Sequence, residues 1–263
     1  MNILEEIIAN KRIEVAKAKT ITPEEVLRRD ASRRAAPPDF RAALSARPPG
    51  LIAEVKRRSP SAGTIREPFD PVEIARAYAG GGAQALSVLM DEKYFGGGES
   101  DFRAVRAAVS LPLLYKEFVV DSWQVWHAAS LGASAVLLIV AALEKRVLIE
   151  LMRVIRSAGL QSLVEVHDED EAAIAVNAGA EIIGINNRNL KTFVTTLDTT
   201  GKVMKHIPAS TFIVSESGIR DGNDTRHLKS LGIGAVLVGE HLLRQRDLAG
   251  AVKAMMEPAW MSS

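Results

Sequence analysis

LGASAVLLIV, residues 131–140, is a Gly-Ala turn that runs directly into an apolar strand. Three other phrases resemble it: GGAQALSVL at 81–89, AGAEIIGIN at 178–186 and LGIGAVLVG at 231–239. Their matching glycines, Gly82, Gly132, Gly179 and Gly232, stand 50, 47 and 53 residues apart. That spacing holds two strand–helix units per repeat. Between the phrases lie four more short runs: LIAEVK (51–56), LPLLYK (111–116), SLVEV (162–166) and TFIVSE (211–216). Each of the eight runs is followed by an amphipathic stretch of helix length. Near-continuous apolar strands alternating with helices form a parallel sheet covered by those helices, since both strand faces must be buried. Eight such units between residues 51 and 258 favour a closed (β/α)8 TIM barrel over an open sheet.

The first 48 residues follow another pattern. Ile3, Leu4, Ile7 and Ile8 fall at helical spacing among charged residues. Thr22-Pro23-Glu24-Glu25 reads as an N-cap with proline at the first helical position, opening a helix to about Arg34. Pro37-Pro38 and Pro48-Pro49-Gly50 then punctuate the chain. The segment is too short to bury a core of its own. It is expected to be a helical extension of a single barrel domain spanning residues 1–263, its apolar stripe covered by the barrel near the substrate mouth.

Composition narrows the function classes. Lysine and arginine total 33 against 32 aspartates and glutamates, so no global field draws nucleic acid or an anionic membrane. With no cysteine there can be no disulfide, zinc thiolate or thiol nucleophile. The longest apolar run, Ala135 to Leu143, is nine residues, against the ~20 that a membrane helix needs. The N-terminal residues are charged throughout and form no signal peptide, so a cytoplasmic protein is expected.

In a barrel of this kind the active site lies at the C-terminal ends of the strands, and there the apolar rule breaks. The first strand holds Glu54 and Lys56, the third ends at Lys116, the fifth holds Glu165, the sixth ends at Asn186, and the seventh ends at Glu216-Ser217. Alternation puts Glu54 and Lys56 on one face. If Val55, Val164 and Val166 face the helices, Glu54, Lys56 and Glu165 face the axis. Buried charges must pair with each other or with a ligand, so the ring is either a structural salt-bridge layer or a site.

Two loops suit a phosphate. Gly239 precedes the short helix opened by Glu240-His241-Leu242-Leu243, and Glu216-Ser217-Gly218-Ile219 is read as a second helix start. Free N–H groups and the helix dipole both favour an anion there. The loop Arg57-Arg58-Ser59-Pro60-Ser61-Ala62-Gly63 adds cations and hydroxyls on a mobile segment. Gly96-Gly97-Gly98 lacks the ending of a nucleotide loop and reads as a flexible turn. The five histidines show no metal-ligand spacing, and His167, two residues beyond Glu165, reads as a loop histidine.

Taken in order, IAEVKRRSPSAG, FDPVEIARAYAGGGAQALSVLMDEKYFGG, LPLLYKEFVVD, ASAVLLIVAAL, LVEVHDEDE, GINNRNLKTF and VSESGI…GAVLVGE resemble the indole-3-glycerol-phosphate synthase family. The resemblance covers most of the chain from Leu51 onward. The phosphate loops alone would equally suit phosphoribosylanthranilate isomerase. It implies ring closure of a small phosphorylated substrate, 1-(2-carboxyphenylamino)-1-deoxyribulose 5-phosphate, with no cofactor or metal. It also implies association with other tryptophan-pathway enzymes as a partner expectation. Carried over residue by residue, the proton donor falls on Lys116 and the general base on Glu165. The charged pair falls on Glu54 and Lys56, the lysine holding the substrate carboxylate, while Asn186 and Ser217 complete the polar ring. Phe118 and Arg188 line the aromatic and anionic ends, with Glu216 among the binding carboxylates. Phosphate falls to Ser59, Gly218, Gly239 and Glu240. A lysine placed among cations is expected to have its pKa lowered toward acid duty. Gly98, Ala62, Asn189 and His241 depart from the family's usual residues.

Overall fold

In the computed structural model, which describes residues 3–189 and 194–261, eight parallel strands close into a barrel. They are β1 (Gly50–Val55), β2 (Ala85–Leu89), β3 (Leu113–Lys116), β4 (Ala135–Ile139), β5 (Gln161–Val166), β6 (Ile182–Asn186), β7 (Phe212–Glu216) and β8 (Ala235–Val238). Each pairs with its sequence neighbour. The ring closes where β8 pairs with β1, in a register that sets Ala235 against Gly50 and Val238 against Ala53. The sequence repeat has a conformational cause. Gly82, Gly132, Gly179 and Gly232 all lie at positive φ, between 82° and 101°, where each ends a helix and turns the chain into the next strand. At the opposite rim the helices start on aspartates. Asp70, Asp121, Asp168, Asp221 and Asp247 each accept a backbone N–H of the first helical turn.

Alternation along the strands separates two apolar layers. Val55, Val164 and Val166 pack outward under the helices. Ile52, Ala85, Leu114, Leu137, Leu163, Val214 and Leu237 fill the interior. The N-terminal extension closes this interior at both ends. α1 (Ile3–Ile21) lays Ile3, Leu4 and Ile7 against the cavity at the C-terminal rim, as expected from the stripe. α2 (Glu24–Ser32) passes down the side, and α3 (Phe40–Ser45) plugs the opposite end with Phe40 and Leu44, both fully buried among the interior residues. Gln161, the first residue of β5, accepts the amides of Phe40 and Arg41 at 2.8 and 3.1 Å and holds the plug in place. The plug was not foreseen. The second helix also differs from expectation: it starts at Glu24 and ends at Ser32, with Pro23 as its N-cap and no side-chain cap from Thr22.

α1 is fastened by a buried ion network. Lys11 is 4% exposed, and its Nζ stands 3.0 Å from Asp91 Oδ2, 3.0 Å from Glu117 Oε2 and 2.7 Å from Glu14 Oε2. Burial alone would favour neutral lysine, but Glu117, Glu14 and Asp91 outweigh it and hold the ammonium charged. Lys11→Met would leave Asp91 and Glu117 buried without their cation. Loss of one partner from such a pair costs about 3–5 kcal/mol. The expected result is a drop in the urea midpoint to match; an unchanged midpoint would show the network to be energetically neutral.

Candidate active site

A cavity of about 490 Å³ opens at the C-terminal ends of the strands, between α1 and the strand–helix loops. Every site residue that the family resemblance carried over lines it: Glu54, Lys56, Ser59, Lys116, Phe118, Glu165, Asn186, Arg188, Glu216, Ser217, Gly218, Gly239 and Glu240. Its floor is the charged ring. Lys116, at the end of β3, reaches across the axis to Glu216 Oε2 at 2.7 Å and Glu165 Oε2 at 3.4 Å. Lys56 pairs with Glu54 on the same face of β1, as alternation requires. Asn186 donates through Nδ2 to Glu165 Oε1 at 3.1 Å and accepts the Arg188 amide on Oδ1 at 3.0 Å.

The electrostatics follow from this crowding. Burial disfavours the Lys116 ammonium, yet Glu216, Glu165 and Glu54 around it raise its pKa above the ordinary lysine value. The expected lowering among cations is therefore wrong: carboxylates, not cations, surround the lysine. Burial would push Glu165 up, but Lys116, His167 and Asn186 hold it below the usual carboxylate range. Glu216 goes the other way. Burial pushes it up to about 7 despite Lys116, helped by the charges of Glu165 and Glu54. Of the two carboxyls sharing Lys116, Glu165 is thus the stronger acid and Glu216 the one that takes up a proton more readily.

Glycines make room for these side chains. A Cβ on Gly184 of β6 would stand 2.0 Å from Glu216 Oε1, and one on Gly239 would stand 2.6 Å from Glu54 Oε1. Gly239 thus admits a barrel carboxylate as well as leaving its backbone open to the cavity.

The phosphate loops are built differently from expectation. A short helix does begin at Glu240, whose side chain pairs with Arg244 at 2.8 Å. No helix begins at Ser217; the next one starts at Gly222. Instead Ser217 and Gly218 both take positive φ, 67° and 78°, and turn the chain beneath the cavity. Asn187, buried behind them, holds that turn. Its Nδ2 donates to the carbonyls of Glu216 and Ser217 at 3.0 and 3.1 Å and to Ser215 Oγ at 3.0 Å. Its Oδ1 accepts from Thr200 N and Oγ1.

Other expectations are corrected. Arg57 and Arg58 do not line the cavity. Arg57 lies 4.3 Å over the Phe69 ring of its own loop and donates to the Gly96 carbonyl at 3.2 Å, and Arg58 donates to the carbonyls of Glu92 and Lys93, so both tether the first loop to the second. Arg220 and Arg244, passed over in the sequence, line the cavity with Arg188. The Gly96–Gly98 turn is packed, not free: a Cβ on Gly97 would stand 2.0 Å from the Leu89 carbonyl. Phe95, just before it, meets Phe118 at 5.9 Å between ring centroids and forms the aromatic wall with it. Residues 190–193 of the GINNRNLKTF motif lie outside the described residues.

Solved structures share the architecture. Thiamine phosphate pyrophosphorylase from Pyrococcus furiosus superposes with a TM-score of 0.62 at 16% identity, over 84% of this chain and 98% of that one. For 3-hexulose-6-phosphate synthase from Salmonella typhimurium the values are 0.62 and 13%, over 81% and 99%. At that identity the likeness concerns fold alone. Sequence relatives are much nearer. Indole-3-glycerol phosphate synthase of Roseiflexus sp. is 44% identical over 96% of this chain and 97% of its own length. The protein of that name from Acidithiobacillus ferrooxidans is 46% identical over 96% and 97%. The family model for indole-3-glycerol phosphate synthase matches residues 4–255, from α1 to the last helix. With that match over nearly the whole chain, and relatives at 44% and 46% identity, the chain belongs to the indole-3-glycerol phosphate synthase family.

Proposed function

We propose that this chain performs its family's reaction with Lys116 as the acid and Glu165 as the base. The reaction closes the indole ring of 1-(2-carboxyphenylamino)-1-deoxy-D-ribulose 5-phosphate with loss of carbon dioxide and water, a carboxy-lyase step in tryptophan biosynthesis. The observation that carries the assignment is the placement of Lys116 Nζ between Glu165 and Glu216 on the cavity floor. Ring closure joins the aromatic carbon bearing the carboxylate to the ketone carbon, and the ketone oxygen must gain a proton. Lys116 is a cation at neutral pH and gives that proton; Glu216, hydrogen-bonded to it and able to hold one itself, can restore it. Carbon dioxide then leaves. Loss of the hydroxyl as water requires a proton on the departing oxygen, which the reprotonated Lys116 gives, and removal of a proton from the new ring, which Glu165, held as an anion, accepts.

Lys56 lies toward the substrate carboxylate, while Phe95 and Phe118 cover the aromatic ring. The Ser217–Gly218 turn, Gly239, Glu240 and Ser59 hold the phosphate, with Arg188 toward the anionic end. No helix among the described residues is long and apolar enough to cross a membrane, and we place the enzyme in the cytoplasm, with the pathway's other enzymes as candidate neighbours. The test is indole fluorescence appearing from the carboxyphenylamino substrate. No fluorescence with full-length folded protein would overturn the reading.

The phosphate assignment has its own test. Inorganic phosphate should compete with substrate. Asn187→Ala should weaken that competition about tenfold, since a buried hydrogen-bonding group lost from the turn costs about 1–3 kcal/mol. Equal phosphate inhibition of wild type and variant would move the phosphate elsewhere.

A further inference from the structure

His167 stands just behind the catalytic ring, at the end of β5, and is mostly buried. Its side chain is not among those that line the cavity. Its imidazole stands between two carboxylates: Nδ1 is hydrogen-bonded to Glu171 Oε2 at 2.9 Å, and Nε2, buried and without a hydrogen bond, lies at ion-pair distance, 3.3 Å, from Glu165 Oε1. Glu171 also accepts the His167 amide at 2.9 Å, so backbone and ring are fixed together. Glu171 is itself placed by the Asp168 cap, which accepts its amide at 2.9 Å. The two oxygens of Glu165 are therefore unequal. Oε1 faces His167 and the Asn186 amide, while Oε2 faces only Lys116 and the cavity side.

We propose that His167 is a positioning residue for proton transfer: as an imidazolium anchored by Glu171, it occupies Oε1 of Glu165 and leaves Oε2 as the proton-accepting oxygen. The inference rests on the reading of Glu165 as the base. A carboxylate free to rotate would present either oxygen at varying distance, and small misplacements at a reacting centre are costly in rate. The charged groups around Glu165 are Lys116 from β3, Glu216 from β7, Glu54 from β1 and His167 itself; those facing His167 are Glu165 and Glu171. Burial opposes a charged ring, but the two glutamates outweigh it and push the imidazole up to about 10. His167 thus stays cationic through the physiological range.

Three variants and one spectrum test this. His167→Gln keeps a donor near Oε1 but loses the charge and the second anchor. It should lower kcat roughly tenfold with KM unchanged within about twofold. Glu171→Gln, which leaves the imidazole in place, should lower kcat in the same sense by less. In wild-type protein labelled with ¹⁵N-histidine, the resonance missing from His167→Gln should remain that of an imidazolium at pH 8. Glu165→Gln is the control for the underlying reading. If it is inactive while His167→Gln keeps wild-type kcat, the positioning role falls and Glu165 stands. If Glu165→Gln retains wild-type kcat, the base assignment falls and the inference with it. A neutral His167 ring at pH 7 would overturn the inference by itself.

Discussion

Lys116→Met is expected to lower kcat by about 10²–10⁴-fold, the usual contribution of a positioned proton donor, while KM changes by no more than a few-fold. The side chain ends β3 and spans the axis to Glu216 and Glu165, so its removal takes away the donor and the cation that keeps two carboxyls together. The fold should survive, because burial already raises Glu216 to about 7 and it can take up a proton once the lysine is gone. The residues proposed for the phosphate and the carboxylate lie elsewhere in the cavity, which is why binding should persist. Lys56→Met makes the contrast: it should raise KM as well, if Lys56 holds the substrate carboxylate as proposed. Single-turnover rates and substrate affinities for both variants decide the matter. A Lys116→Met enzyme with near-wild-type kcat would transfer the donor's role to Lys56.

Gly184→Ala is expected to reduce kcat about 100-fold, although the change adds one methyl group inside a strand. Its Cβ would stand 2.0 Å from Glu216 Oε1, so the carboxyl must move, and with it the hydrogen bond to Lys116. A displacement of about 1 Å at a reacting centre can cost that much. Overpacking also destabilises by about 1–3 kcal/mol, so the melting temperature should fall while the protein remains folded at 25 °C. Gly80→Ala is the matched control, since a Cβ there meets nothing within 4 Å. Equal kcat in the two variants would mean that the position of Glu216 is immaterial.

The barrel and its ring were legible because both depend on local periodicity. Alternation along LIAEVK and SLVEV is enough to send Glu54, Lys56 and Glu165 inward. What escaped the sequence depends on residues far apart in the chain. Gly184 reads as an ordinary residue of an apolar strand until Glu216 is seen against it. His167 reads as a loop residue because HDEDE offers several carboxylates, and only helix geometry selects Glu171. The sign of the Lys116 shift was misjudged for a similar reason: counting charges cannot say which of them the lysine reaches. Arg57 and Arg58 follow the first strand and read as cations for the phosphate, whereas a phenyl ring of their own loop and three carbonyls of the next draw them away.

The closure of the ring by β8 against β1 has a consequence for biosynthesis on the ribosome. The strand at Gly50–Val55 and the plug at Phe40–Ser45 leave the exit tunnel early, but the neighbours that complete their burial, including Ala235 and Leu237, are made last. Trp260, still later, donates its indole N–H to the Pro49 carbonyl at 3.1 Å and fastens the last helix to the chain just before β1. Until then a nascent chain carries an open sheet edge and an apolar lumen, the surfaces on which partly made proteins aggregate. Emergence of β8 from the ribosome is therefore the step that lets this sheet edge close against β1.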